Sequence, residues 1–167
     1  MTEYVDIVDE NDKAVGKATR EESNKKNLRR RGSGVLVFNK KNEILMHKRA
    51  SEKLEFPGLW DFGSAETLIS KESYESAAIR GLKEELGITG ISNFDIKFLF
   101  KFKHTGKNVK RFYKVFSLHY NKNIKINKEE ISEAKFVSED FLNKMLEKEK
   151  FIDRGLEVYK EYRKIRK

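Results

Sequence analysis

A chain of 167 residues that is 38% hydrophobic and 38% charged can bury one sizeable core beneath a strongly solvated surface. It has no cysteine, which excludes disulfides, thiolate metal sites and cysteine nucleophiles and suits a reducing compartment. No run of about 18 apolar residues occurs and Met1-Thr2-Glu3-Tyr4 lacks signal-peptide character, so the expectation is a cytoplasmic protein with no membrane partner.

In chain order, Tyr4–Val8 alternates as a strand, Asp9–Asp12 turns, and Ala14–Thr19 returns to close an N-terminal hairpin within residues 1–30. Arg20–Asn27 is polar and reads as a short helix or loop. Gly34–Phe38 is a buried strand, and Ile44–His47 pairs back after the turn Asn39–Asn42. Pro57, the sole proline, precedes Gly58 and Trp60; such a pair fixes a rigid turn, and this one is expected to bury Trp60 partly against the helix that follows. Phe94–Phe102 and Arg111–Tyr120 form a long antiparallel hairpin around the turn His104–Asn108. A polar loop, Asn121–Glu130, leads to a strand at Ala134–Val137, then Ser138 caps a helix over Glu139–Lys150, and an amphipathic helix runs from Asp153 to the end. The glycine cluster Gly32-Ser33-Gly34 precedes no helical pattern, which rejects a phosphate-binding loop or dinucleotide fingerprint. Without repeats, low-complexity tracts or linkers, residues 1–167 read as a single α+β domain, its C-terminal helices within 138–167.

Chemistry concentrates in residues 66–88, E-T-L-I-S-K-E-S-Y-E-S-A-A-I-R-G-L-K-E-E-L-G-I. Ser70 reads as an N-cap, Glu72 and Glu75 place negative charge in the first turn, and Gly87 suits the left-handed residue that ends a helix. At about 100° per residue, Ala78, Ile79, Leu82 and Leu86 form an apolar arc, with Ala77, Gly81, Glu84 and Glu85 beside it. Adjacent carboxylates at the edge of a buried face cost free energy unless compensated, commonly by a hard divalent cation. The competing reading is two solvated acids near a helix end.

This stretch resembles the box of the Nudix hydrolases, G-x5-E-x7-R-E-U-x-E-E-x-G-U with U aliphatic. Glu72, Arg80, Leu82, Glu84, Glu85, Gly87 and Ile88 fall on its positions, whereas Glu66 stands at the first glycine and Gly81 at the glutamate after the arginine. Further likeness, over Val5–Asp12, Gly34–Phe38, Lys48-Arg49, Phe56–Asp61 and Ile131–Val137, is to the branch that includes isopentenyl-diphosphate isomerase. The isomerase chemistry itself is not expected, because it uses a cysteine and a histidine-rich metal site. Here His47, His104 and His119 are the only histidines, and none lies in Arg29–Arg31 or beside Trp60.

The resemblance implies a Nudix fold, a mixed β-sheet sandwiched between α-helices, and hydrolysis of a diphosphate linkage in a nucleoside diphosphate derivative or similar small molecule with Mg²⁺ or Mn²⁺. It assigns Glu84 and Glu85 to the metal, Arg80 to orienting the carboxylates, Glu72 and Gly87 to the framework, and Lys48 and Arg49 to the substrate. Glu130 is the distal carboxylate, with Glu133 its neighbouring competitor. The two departures are reciprocal, so Glu66 is read as supplying to the metal the carboxylate missing at Gly81. The alternative is a weakened Nudix-fold protein that binds a nucleotide or nucleic acid. A net charge of +9, concentrated in Lys25–Arg31 and Lys160–Lys167, invites the nucleic-acid reading, but solvated lysine-rich faces are favoured, with a basic rim around a polyphosphate site between the two.

Overall fold

The computed structural model describes residues 2–107 and 109–166. Met1, Asn108 of the expected 104–108 turn, and Lys167 at the end of the basic tail lie outside the described residues. The hairpin pairs β1 (Tyr4–Val8) with β2 (Ala14–Thr19). Its turn is held by Asp9, whose Oδ1 accepts from the amides of Asn11 at 2.8 Å and Lys13 at 3.0 Å. Thr19 then caps α1 (Arg20–Lys25) by accepting from Glu22 N.

Next come β3 (Arg30–Phe38), β4 (Ile44–Arg49), β5 (Trp60–Phe62), β6 (Ser64–Thr67), α2 (Tyr74–Leu86), β7 (Lys97–Gly106), β8 (Val109–His119), β9 (Ile131–Val137), α3 (Glu139–Lys148) and α4 (Asp153–Ile165). The main sheet runs β5-β4-β3-β8-β7, with β6 on β3 and β9 on β4. It is mixed, because β3 and β8 are parallel and the other pairs antiparallel.

The feature that positions the site is a fork. β3 and β4 touch only at Phe38 and Ile44, after which β5 pairs with β4 and β6 pairs with β3. Gly63 makes the corner between them with φ +55, and a Cβ there would fall 1.8 Å from the Val35 carbonyl oxygen, so no side chain fits. His47 braces the corner, its Nδ1–H donating to Gly63 O at 2.7 Å. β6 then delivers its C-terminal end beside α2.

Alternation along the strands builds two cores, one on each face of the sheet. Val35, Val37, Leu45, Phe112 and Phe116 pack under Ala77, Ala78, Leu82 and Leu86 of α2. Leu36, Phe38, Met46 and Val115 pack under Leu142, Met145, Val158 and Tyr159 of α3 and α4. Leu82 and Leu86 are fully buried, each contributing about 1.5–3 kcal/mol. The expected sheet sandwiched between helices is present.

Several local expectations are corrected. The cap of α2 is Ser73, which accepts from Ser76 N at 3.1 Å. Ser70 instead donates to Asp6 at 2.7 Å, tying its loop to β1, and Glu72 lies ahead of the helix. Trp60 does not face α2: it belongs to the opposite core with Phe62, Phe151 and Met145, because β5 alternates Trp60 and Phe62 onto that side. β3 begins at Arg30, so the basic run is not uniformly solvated; Arg30 is 1% exposed and Arg31 pairs with Asp12 at 2.7 Å. β7 continues through His104 to Gly106, β9 starts at Ile131, and α3 stops at Lys148. Among the described residues, no helix is long and apolar enough to cross a membrane.

Candidate active site

A cleft of about 620 Å³ opens where the end of β6, the C-terminal half of α2, the end of β4, α1 and the segment 50–59 meet. Its walls bring together Glu66, Arg80, Glu84, Glu85, Glu130 and Arg49, all singled out by sequence, with Arg20 and Lys53, which were not.

Arg80 organises the acidic wall. Its guanidinium donates to both oxygens of Glu72, at 2.9 and 3.0 Å, to Glu66 at 3.1 Å, to Thr67 O at 2.9 Å and weakly to Glu84 at 3.4 Å. The hydrogen bonds it donates to Glu72, followed by the charges of the neighbouring glutamates, hold the Arg80 pKa above its ordinary value against burial. Glu72 also accepts from Ile69 N at 3.0 Å, so a single carboxylate locks both the arginine and the loop between β6 and α2. Such a bidentate, partly buried pair is geometrically rigid.

Glu66 and Glu85 are the half-buried acids of the cleft. Burial pushes the Glu66 pKa up against the pull of Arg80. Burial pushes Glu85 well above the usual carboxylate range, and the adjacent charge of Glu66 adds to it. Glu85 Oε2 is buried and has no hydrogen-bond partner among the described residues. Glu84, by contrast, is 55% exposed and faces the open side of the cleft.

Gly81 and Glu66 are directly complementary. A Cβ at position 81 would lie 2.6 Å from Glu66 Cγ. The glycine leaves the volume that Glu66 occupies, so the two departures from the family box are one packing solution. Beyond the helix, Gly87 is left-handed at φ +64, and the amides of Lys125 and Asn127 donate to Leu86 O and Glu85 O at 3.0 and 2.9 Å. The loop 121–130 thereby satisfies carbonyls that every helix end leaves free.

Glu130 reaches the cleft but pairs with Lys53 at 2.7 Å. Glu133 lies on β9 outside it, paired with Lys135. Arg49 lines the cleft, with Nε donating to Glu55 O at 3.0 Å, whereas Lys48 points to the other face and lies over Trp60 at 5.8 Å; adjacent strand residues cannot share a face. Of the histidines, His47 is the buried corner brace, its pKa lowered by burial, and His104 contacts Glu157 of α4 at 2.5 Å.

Sequence reasoning missed Asp61 and Arg154. They form a buried ion pair across 93 residues of chain, and Gly155 is small because a Cβ there would meet Asp61 Oδ1 at 2.3 Å. Burial opposes the Arg154 charge, but Asp61 outweighs it and holds the pKa up. No local pattern announces a partner so distant.

Among the described residues, no three acids or imidazoles converge on one point as metal ligands, because Glu66 is turned to Arg80 and Glu130 to Lys53. The donor chemistry nevertheless suits a hard divalent cation: all-oxygen, acidic, half buried, with one orphaned carboxylate oxygen aimed into the group.

Comparison with known proteins places the chain in a family. The model of the NUDIX domain matches residues 28–157. An uncharacterized Nudix hydrolase of Streptomyces coelicolor is 32% identical over 158 residues, covering 94% of this chain and 86% of that one. Human isopentenyl-diphosphate delta-isomerase 2 is 32% identical over 170 residues, covering 89% and 75% respectively. The crystal structure of a Deinococcus radiodurans protein superposes with a TM-score of 0.79 at 24% identity, covering 96% and 99% of the two chains. The chain belongs to the Nudix family. That membership supports diphosphate hydrolysis in general terms, and a divalent metal is what the family generally uses.

Proposed function

We propose that this chain, as one domain over residues 1–167, is a Mg²⁺- or Mn²⁺-dependent pyrophosphohydrolase acting on a diphosphate linkage in a nucleoside diphosphate derivative or similar small molecule. The observation that carries the reading is the half-buried pair Glu66 and Glu85, with a buried oxygen on Glu85 that has no partner among the described residues, beside the Arg80–Glu72 lock. Two adjacent half-buried acids, of which Glu66 alone has a cationic partner in Arg80, are costly without a further cation. Glu66, Glu84 and Glu85 would hold the metal, with Glu130 joining them on leaving Lys53. A bound divalent cation neutralises phosphate oxygens and makes water more acidic.

The protein's own groups then divide the work. Arg80 keeps Glu66 and Glu84 on one side of the cleft. Arg49, Arg20 and Lys53 supply positive charge opposite the acids, so a diphosphate spans the two walls. In the metal-free site burial raises the proton affinity of both Glu66 and Glu85, a cost that a bound cation would offset. Solvated Glu84, on the open side, meets the substrate first.

The departure at Gly81 keeps a second reading in play: a weakened site that binds a nucleotide or nucleic acid without turnover. Phosphate release from a panel of nucleoside diphosphate derivatives, with Mg²⁺ and with Mn²⁺, separates the two. Turnover by the wild type, abolished by Glu84→Gln with Glu85→Gln in a protein that melts normally, supports hydrolysis. Absence of turnover across the panel, with salt-sensitive oligonucleotide binding, supports the second.

A further inference from the structure

Behind β6, on the sheet face covered by α4 and α1, two arginines sit side by side and neither makes an ion pair among the described residues; the Glu55 charge acts on Arg30 only from a distance. Arg30 and Arg111 are register partners on the parallel strands β3 and β8, so their side chains leave the same face about 4.8 Å apart at the backbone. Arg30 is 1% exposed, and its one partner is the hydroxyl of Ser23 at 2.7 Å. Arg111 donates to the hydroxyls of Thr67 and Tyr113, both at 3.0 Å. The Nε atoms of both arginines are buried and unpartnered among the described residues.

The neighbours show how unusual this is. Arg29 pairs with Glu10 at 2.5 Å and Arg31 with Asp12 at 2.7 Å. Arg154, over the ring of Tyr113, has Asp61. Among the described residues Arg30 and Arg111 hydrogen-bond to neutral hydroxyls alone, which orient a guanidinium but cancel no charge. Burial, and then the positive charge of Arg111, pushes the Arg30 pKa down to about 10. Paired like charges in a low-dielectric interior repel strongly, so such a pair is retained where an anion offsets it.

We propose that Arg30 and Arg111 form an oxyanion subsite for a phosphoryl group, separate from the acidic cluster of the cleft. Arg111 is half-exposed and forms its entrance, and Arg30 is its floor. Thr67 is the partition between the two sites, its carbonyl accepting from Arg80 and its hydroxyl from Arg111. Planar guanidinium forks suit tetrahedral oxyanions. The group is either free phosphate or a phosphoryl of a ligand whose remainder lies in the cleft. The subsite does not depend on hydrolysis taking place.

The test is calorimetric titration of metal-free protein with inorganic phosphate, at constant ionic strength. Wild type binds, Arg111→Gln weakens binding at least about tenfold, or about 1.4 kcal/mol, and Arg49→Ala in the cleft keeps it. Arg30→Met removes the repulsion, so it melts higher than wild type in phosphate-free buffer and loses the phosphate response; should it not fold, Arg111→Gln carries the test alone. A second titration with methylenediphosphonate distinguishes the sources. Weakening by both Arg111→Gln and Arg49→Ala identifies a phosphoryl of a cleft ligand, and sensitivity of phosphate alone to Arg111→Gln identifies the free ion. No phosphate binding by wild type, or binding lost in Arg49→Ala but kept in Arg111→Gln, overturns the subsite, whatever the hydrolysis assay gives.

Discussion

Replacing Gly81 with alanine tests whether Glu66 and Gly81 are one packing unit. The added Cβ lands 2.6 Å from Glu66 Cγ, roughly 1 Å inside the optimum carbon–carbon separation. Cγ is in mid-chain, so relief means swinging Glu66 off Arg80 or moving α2 away from β6, at about 1–3 kcal/mol. Against this, alanine in a helix interior gains about 1 kcal/mol over glycine. The net expectation for Gly81→Ala in the wild-type background is therefore destabilisation of about 1 kcal/mol. In a Glu66→Gly background the obstacle is gone and the same change stabilises by about 1 kcal/mol, a coupling of about 2 kcal/mol. Urea denaturation of the four proteins in EDTA measures the cycle, and thermal melts give an independent reading at about 2–4 °C per kcal/mol. Additive effects, with Gly81→Ala stabilising both backgrounds equally, would refute the complementarity.

The same unit predicts activity: Glu66→Gln impairs metal-dependent hydrolysis as severely as Glu84→Gln, and Glu66→Gly with Gly81→Glu recovers much of it. A silent Glu66→Gln, with Gly81→Glu alone raising turnover, sinks the exchange. Glu85 gives a pH signature. Its folded pKa is raised above the ordinary 4.5 by burial, so the metal-free folded state binds more protons there than the unfolded chain, and stability falls as pH rises above that value. Glu85→Gln removes this contribution, and its melting temperature in EDTA declines less between pH 5 and pH 8 than that of wild type; parallel declines count against a buried ionising Glu85. Trp60→Ala empties a site between Phe62, Phe151 and Met145 and costs about 3–5 kcal/mol, so a melting temperature within error of wild type would show the ring is not packed there.

Much of the fold was legible from local pattern. Period-two alternation located β1 and β7, a buried apolar run located β3, the hairpin pattern located β8, and the apolar arc of Ala78, Leu82 and Leu86 located the face of α2 that is buried. The spacing of Arg80 and Glu84 was informative because a helix converts it into proximity, whereas Glu72 reaches Arg80 from the loop ahead of the helix. Glu130, read from sequence as a distal metal carboxylate, lines the cleft, but its observed partner is Lys53, 77 residues away.

What sequence by itself determined is therefore what short-range geometry carries: strand and helix periodicity, the carboxylate-bearing turn of α2, the reciprocity of Glu66 and Gly81, and the absence of cysteine chemistry. Only the tertiary structure decided which core receives Trp60, why Lys48 leaves the cleft while Arg49 enters it, and that Asp61 meets Arg154 while Arg30 and Arg111 bond to hydroxyls and make no ion pair among the described residues. Those outcomes depend on strand register and on the fork between β3 and β4, which pair residues tens of positions apart. The free energy of a buried charge is set by those remote neighbours, so one sequence window holds the arginine but not the environment that determines its cost.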